Sequence, residues 1–278
     1  MIFTAPTPWK EAIASRDLKT ILPTSLSSND LNLIPAAIRE RAMFSASTVN
    51  ADYLQKVNEL ITRIVSPETI DGRPVRPGEY MDKATARLQM GQFLDASGYR
   101  PSADQRGGLQ DLRSDARLNL IIDTNTQMAQ GFGAWHADQN PARLDAWPAQ
   151  EFYRLESRIT PRNWVSRWLD AGGEIYGGRM IALKNDPIWT EISAFDLPYP
   201  PYDFNSGMWV RDVSRFEAID LGLMDADTPT PESDYRGFNE DLQTDISDLA
   251  APLQDALVKS MEGLAHFADG VLKMGLKI

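Results

Sequence analysis

The 278-residue chain contains no cysteine and only two histidines. Without thiols it can form neither disulfides nor thiolate metal sites, and the redox compartment stays undetermined. The histidines do not form a His-x-x-x-His pair, which disfavours a dedicated transition-metal site, and no cofactor is predicted. We expect His136 to end a long helix, where it interacts with the helix dipole, and His266 to be solvated on a later helix.

The sequence also lacks the common catalytic motifs: Gly-x-Ser-x-Gly, the phosphate loop Gly-x-x-x-x-Gly-Lys and the dinucleotide fingerprint. Glu151 and Glu156 flank Arg154, and Asp186 precedes a proline. Two carboxylates close together could hydrolyse a glycosidic bond, but an ion pair between Glu156 and a neighbouring arginine is the favoured interpretation. We therefore predict no catalytic residue and no enzymatic function.

The net charge of −11 and the pI near 4.7 are the opposite of a general nucleic-acid-binding surface, which is basic. Direct DNA binding is therefore disfavoured, although a local basic patch is left open. No apolar run is long enough to span a bilayer, and residues 1–10 lack the features of a signal peptide. We expect a soluble protein, made in the cytoplasm, with no membrane partner.

The N-terminal half is predicted to be largely helical. Residues 1–35 are expected to form an arm with a short helix, since proline and a Ser/Asn-rich turn interrupt their apolar residues. In residues 36–140, apolar side chains recur at three- and four-residue steps, which predicts a helical region. Asn50 or Asp52 is expected to cap one of its helices. Two more helices are predicted over residues 81–96 and 109–136.

After residue 140 the helical period weakens. Residues 141–224 predict a mixed α+β region of short strands and helical turns. Residues 225–240 combine acidic residues with prolines, which predicts an acidic linker. Residues 241–278 predict an amphipathic tail helix whose apolar stripe would bind a partner or a second copy. That stripe includes Leu249, Leu253 and Leu257. The fold class is thus predicted to be α+β, predominantly helical in its N-terminal half, with a mixed, loop-rich C-terminal half and an amphipathic tail helix.

Residues 147–223 concentrate tryptophan, arginine, glycine and proline. Trp164 and Trp168 are four residues apart, so on a helix they would share one face, close to Arg162 and Arg167. Such a group could stack on bases or sugars, form a hydrophobic cluster covered by arginine stems, or contact another protein. The acidic net charge favours the core or a protein interface over nucleic acid.

A turn over residues 200–207 is predicted to complete this irregular surface. Asp203 is interpreted as an Asx-turn residue that precedes Asn205 and Gly207. Together with Trp189 and the tryptophan–arginine pair, the turn is predicted to shape a contact surface, because ordered irregular segments are common recognition sites.

Several short segments stand out along the chain, in the order 38–46, 53–54, Arg113, Arg117, 121–125, Ala129, 147–168, 186–189 and 200–208. Their order and spacing resemble the minor head (head morphogenesis) proteins of tailed phages, the family named for protein F of phage Mu. The resemblance covers about residues 36–223. At the turn many relatives carry a histidine and a Cys-Arg-Cys, where this chain has Asp203, Asn205 and Met208, so a thiol or metal role does not carry over.

The resemblance implies a structural protein of the virion head or head–tail junction, assembled in the host cytoplasm. It would act in head assembly, DNA packaging or DNA delivery near the portal, with the portal protein, the major capsid protein or both as partners. Two alternatives stay open: an ADP-ribosyltransferase-like or glycan-cleaving enzyme, and a cellular protein-binding module. A pocket of converging titratable groups around Glu151, Glu156, Arg154 or Asp186 would favour the enzyme.

Overall fold

The computed structural model confirms the α+β class. The chain forms two compact units, of which unit 1 comprises residues up to Ala129 and from Gly237 onward, and unit 2 comprises Gln130–Arg236. Residues 1–18 of the predicted arm and 234–240 of the predicted linker lie outside the described residues. The structure describes residues 19–65, 69–70, 73–74, 81–233, 243–261 and 265–274.

Helices and strands are interspersed along the described chain. The helices are α1 (Ser28–Asn32), α2 (Ala36–Arg41), α3 (Ala51–Val65), α4 (Lys83–Ala96), α5 (Asp115–Asp138), α6 (Pro141–Ala146), α7 (Trp164–Asp170), α8 (Ile188–Glu191), α9 (Arg215–Asp220) and α10 (Ala251–Ser260). The strands are β1 (Thr20–Ile21), β2 (Ala42–Met43), β3 (Thr69–Ile70), β4 (Arg73–Pro74), β5 (Ala149–Arg154), β6 (Ile175–Tyr176), β7 (Arg179–Leu183), β8 (Met208–Val213), β9 (Gln243–Asp245), β10 (Ala265–Ala268) and β11 (Val271–Met274).

Aliphatic faces of α3, α4 and α5 form one core of unit 1. The Asn50 side chain accepts a hydrogen bond from the Tyr53 backbone N–H at 2.9 Å, so of the two predicted caps of α3 it is Asn50 that serves. Asp82 likewise accepts from Thr85 N–H at 2.6 Å and starts α4. This core buries Tyr53, Leu54, Val57, Leu60, Ile61, Ala86, Met90, Leu94, Leu118, Ile121 and Ile122.

The long helix α5 begins six residues later than the apolar pattern predicts. The Ser114 hydroxyl donates to the Gly108 carbonyl at 2.6 Å and accepts from Arg117 N–H at 3.1 Å. This capping fixes residues 109–114 as turns, so the first apolar residues of the pattern precede the helix. His136 lies in the last turn of α5, as predicted.

The short helix predicted within residues 1–35 is present as α1, but the described residues 19–35 are not a separate arm, because they belong to a second core of unit 1. Strand β1 pairs in parallel with β2, and the apolar side chains that follow it are buried. They pack against the C-terminal part of the chain, which supplies the partner surface that the sequence pattern could not locate. The buried residues are Leu22, Leu26, Leu31, Ile34, Ile38, Ala42, Ile246, Leu253, Leu257, Met261 and Leu272.

The predicted tail helix over 241–278 is also wrong. Among the described residues of this range only Ala251–Ser260 is helical, and β10, β11 and β9 form an antiparallel sheet in that order. Asp269 and Gly270 both have positive φ, which suits the tight turn of the β10–β11 hairpin. His266 is exposed, as predicted, but lies in β10. Residues 262–264 and 275–278 lie outside the described residues.

The tail leucines do not form a free docking stripe. Leu253 and Leu257 are buried and Leu249 is partly buried, all against the second core of unit 1. They were predicted to bind a partner or a second copy because their stripe is apolar, but the stripe is covered by the chain's own N-terminal residues. Leu249, Leu253 and Leu257 therefore stabilise unit 1.

Unit 2 is built on an antiparallel sheet in the order β6-β7-β5-β8. In β5, Phe152 faces an aromatic core, whereas Ala149 lies in a smaller cluster on α9's side of the sheet. Two irregular segments, residues 155–163 and 192–207, connect these elements and contain neither helix nor strand. The same is true of residues 225–233.

Candidate protein-contact surface

The tryptophans of residues 147–223 are mostly core residues. Trp164 and Trp168 share one face of α7, as predicted, but they are buried, as is Trp189. Phe152 lies among them, with its ring centroid 5.2 Å from Trp164 and 6.0 Å from Trp168. Of the alternatives for Trp164 and Trp168, the hydrophobic cluster is therefore the one that is confirmed. None of the three indoles forms the contact surface itself, because they are covered inside unit 2.

Two buried indoles also fix nearby loops. Trp168 Nε1 donates to the Glu174 carbonyl at 2.8 Å, and Trp189 Nε1 donates to the Leu183 carbonyl at 2.7 Å. A Cβ atom at Gly173 would overlap the Trp168 ring, so only glycine fits there. The tryptophans thus hold irregular backbone in place from within.

Arginines hold the turn at residues 203–207 from the outside. Arg158 Nε donates to the Asn205 carbonyl at 2.9 Å, and Arg162 donates to the Phe204 carbonyl at 3.0 Å. Asn205 itself has φ 51°, a left-handed conformation that Asn tolerates better than most residues. Side chain–backbone bonds thus satisfy carbonyls that no strand or helix pairs.

Asp203 joins the turn to α7 rather than forming the predicted Asx-turn. Its Oδ2 lies 3.2 Å from Arg162 Nε and 3.2 Å from Arg167 Nη1, and its Oδ1 accepts from the adjacent Phe204 N–H. Two guanidinium groups attract the carboxylate more strongly than a neutral N–H two residues ahead would. Arg167 also lies over the Trp164 ring, 5.0 Å from its centroid.

Residues 155–156 lie directly against this turn. The backbone N–H groups of Leu155 and Glu156 both donate to the Gly207 carbonyl, at 2.9 and 3.0 Å. A Cβ atom at Gly207 would overlap the Glu156 carbonyl oxygen. Glu156 pairs with Arg158 at 2.6 Å, which confirms the predicted ion pair with a neighbouring arginine.

We define the arginine-held surface as residues 154–162 and 203–207 together with Arg167, which pairs with Asp203. Three apolar side chains on it are exposed: Leu155 and Phe204 partly, and Ile159 fully. It carries four arginines and two carboxylates, a net charge of +2 in a chain of net charge −11. An ordered surface with exposed apolar side chains and arginines has the composition of a protein-contact site.

The carboxylates named for the enzyme alternative take part in separate contacts with arginines or backbone N–H groups. Glu151 is buried, and its Oε2 pairs with Arg179 at 2.5 Å and Arg211 at 2.7 Å. The hydrogen bond to Glu151 is the main cause that raises the pKa of Arg179. Asp186 accepts from the Ile188 N–H at the start of α8. These carboxylates are therefore engaged in structural contacts.

A small cleft opens between the end of α5, the sheet and residues 198–200. Tyr199 and Trp135 line one side, with ring centroids 5.8 Å apart. Lys184 lies at its base, only 2% exposed, and its Nζ is 2.7 Å from a carboxylate oxygen of both Asp138 and Asp212. None of Glu151, Glu156, Arg154 and Asp186 lines the cleft. The two carboxylates neutralise the ammonium group of Lys184, as the burial of this charge requires.

Within the described residues no group of three or more His, Asp or Glu side chains could hold a metal ion. In the same part of the chain, no helix combines the length and the apolar character needed to cross a membrane. Comparisons with protein-family models, curated proteins and solved structures found no match to this chain.

The sequence prediction missed part of the surface that the structure brings together. It named Arg162, Arg167, Asp203 and Asn205, all of which take part, but not Arg158 or the exposed Leu155, Ile159 and Phe204. The bond from Arg158 to Asn205 spans 47 positions of sequence, so no local pattern could reveal it. The signal that could have located the surface is the density of arginine and aliphatic residues over 154–162 without helical period.

Proposed function

We propose that the chain is a structural minor head protein of a tailed phage or prophage. It acts in head assembly, DNA packaging or DNA delivery near the portal, through contacts with the portal protein, the major capsid protein or both. The order and spacing of the short segments over residues 36–223 support the family assignment, and the arginine-held surface supports a role in protein contacts.

The arginine-held surface is the observation that carries this proposal. Its backbone is fixed before any partner binds, by arginine–carbonyl bonds and by the Asp203 ion pairs. A preorganised surface loses less conformational entropy on association than a mobile loop, so its exposed apolar side chains contribute more to affinity. A protein whose function is assembly needs such a surface.

The test is co-purification of the full chain with portal and capsid proteins of the same phage or prophage. The double substitution Ile159→Ser with Phe204→Ser removes two exposed apolar side chains that belong to none of the hydrophobic core clusters, and with Phe204 it also removes one edge-on ring contact to Phe195. We expect recovery of the partner to fall about tenfold or more, as for interface residues of high importance. The control is Phe216→Ser on α9, a side chain that is 84% exposed and outside this surface; it should leave recovery unchanged.

Equal recovery with the double variant and with Phe216→Ser would contradict the role of this surface. Absence of any co-purification of the wild-type chain with portal or capsid protein would contradict the virion role itself. A neighbourhood of cellular rather than phage genes would favour the alternative, a cellular binding module.

A further inference from the structure

We infer that the partner of the arginine-held surface is an acidic protein segment, one that carries carboxylates next to apolar side chains, and that nucleic acid does not bind there. This inference rests on the proposed role of the surface in protein contacts and names the chemistry of what binds.

The first argument is local charge. Arg162 and Arg167 share a single oxygen of Asp203, so two cations face one carboxylate. Their side chains are 44% and 34% exposed, whereas that of Asp203 is 16% exposed. Each guanidinium has five N–H donors in a planar fork that matches a carboxylate. The guanidinium donors are therefore more exposed to solvent than the carboxylate of Asp203, and a carboxylate of a partner could pair with them.

The second argument separates an acidic protein from nucleic acid. Ile159 is fully exposed, and Leu155 and Phe204 project from the same held backbone. A phosphate backbone offers guanidinium groups the same charge but would leave these apolar side chains in water. A short segment that combines carboxylates with apolar residues satisfies both features of the surface.

The experiment uses labelled probes and the full chain. Three synthetic peptides of equal length carry Leu with Glu, Leu with Lys, and Ser with Glu, and a short duplex DNA is the fourth probe. Fluorescence anisotropy at low salt should show the Leu/Glu peptide binding about tenfold more tightly than each of the others. Raising the salt from about 50 to about 500 mM should weaken that binding, since exposed charges are screened.

Two substitutions should move the affinity in opposite directions. Ile159→Ser removes apolar contact area and should weaken Leu/Glu binding about tenfold. Glu156→Gln removes the carboxylate that lies 2.6 Å from Arg158 and should tighten it about threefold, because one competing negative charge is gone. Phe216→Ser is again the matched control and should change neither affinity nor salt dependence.

Equal or tighter binding of the Leu/Lys peptide or the DNA, or no binding of the Leu/Glu peptide, would overturn the inference. The two proposals fail separately. One possible result is that the Ile159→Ser/Phe204→Ser variant no longer recovers portal or capsid protein, while the wild-type chain prefers the Leu/Lys peptide. That result would overturn only the inferred chemistry. Leu/Glu binding with no phage partner recovered would overturn only the virion role.

Discussion

Unit 1 and unit 2 differ in how their backbone N–H and carbonyl groups find hydrogen-bond partners. In unit 1, helices such as α3 and α4 pair their own N–H and carbonyl groups and bury aliphatic side chains between them. In unit 2, residues 155–163 and 203–207 have little regular structure, and arginine side chains pair with their carbonyls. Five aromatic rings, packed with Ala182, Ile188, Ile192 and Met208, form the core of unit 2.

The difference explains why unit 2 suits a contact surface. A helix presents a repeating face, whereas irregular backbone can take a specific shape once it is fixed. Arginine supplies several donors from one side chain and stays charged at any physiological pH, so it fixes such backbone without a neighbouring strand. The same arginines give the surface its local positive charge.

The largest expected effect comes from Trp168→Ala. It removes a fully buried ring that stacks on Phe152 and the bond to Glu174, at a cost of about 3–5 kcal/mol. Hydrogen exchange should speed up across unit 2 while the amides of α3 keep their protection. Loss of protection in α3 to the same extent would mean that the two units unfold together and would break the comparison. Trp147→Ala, at a half-exposed position, is the control.

Glu151→Gln should come next. Arg179 and Arg211 would lose their shared carboxylate, and breaking a fully buried pair costs about 3–5 kcal/mol. Since both arginines are partly exposed, we expect the free energy of unfolding, measured by urea denaturation, to fall by about 2 kcal/mol. Glu217→Gln, which removes only the more exposed partner of Arg179, should cost clearly less; equal costs would mean that burial of Glu151 adds nothing.

Arg158→Ala tests the arginine–carbonyl contacts directly. It should change global stability by less than about 1 kcal/mol, yet speed amide exchange at residues 203–207 about tenfold, because the turn loses a bond to its backbone. Arg113→Ala in unit 1 is the matched change, since Arg113 pairs with the Asp95 carboxylate and holds no turn. Unchanged exchange at the turn would show that the other arginines suffice.

The smallest effect is expected for Asp82→Asn in unit 1. The backbone bond from Thr85 lowers the pKa of Asp82 below its ordinary value. A carboxyl with a lowered pKa stabilises the fold above pH 4 or so and loses that contribution as the pH falls. Asparagine also caps helices but does not titrate. The free energy of unfolding of the variant should therefore fall less steeply as the pH is lowered. An unchanged slope would show that the Asp82 carboxylate contributes nothing to the acid sensitivity of the fold.

The sequence predicted those parts of the fold that depend on local pattern. The helix that follows Asn50, the helix over 83–96 and the shared face of Trp164 and Trp168 follow from spacing and caps. The prediction for the tail is wrong because leucines at three- and four-residue steps favour one continuous helix, whereas the Asp269–Gly270 pair has the positive φ angles of a tight hairpin turn. The Asp-Gly pair is the local signal that indicates the hairpin.

Other features could not be predicted because they depend on distant contacts. An apolar stripe looks the same whether a partner or the chain's own N-terminus covers it, and so Leu253 and Leu257 were assigned to the wrong surface. The pairing of Asp203 with Arg162 and Arg167 joins residues about forty positions apart. Such contacts depend on the pairing of β5 with β8, which brings the two segments together.

Site-specific photo-crosslinking in assembled particles tests the central claim most directly. A photoreactive residue in place of Ile159, whose side chain is fully exposed on the arginine-held surface, should crosslink to portal or capsid protein. The same residue at Phe216, exposed on α9, should give little or no such product. Crosslinks from position 216 with none from position 159 would contradict the account.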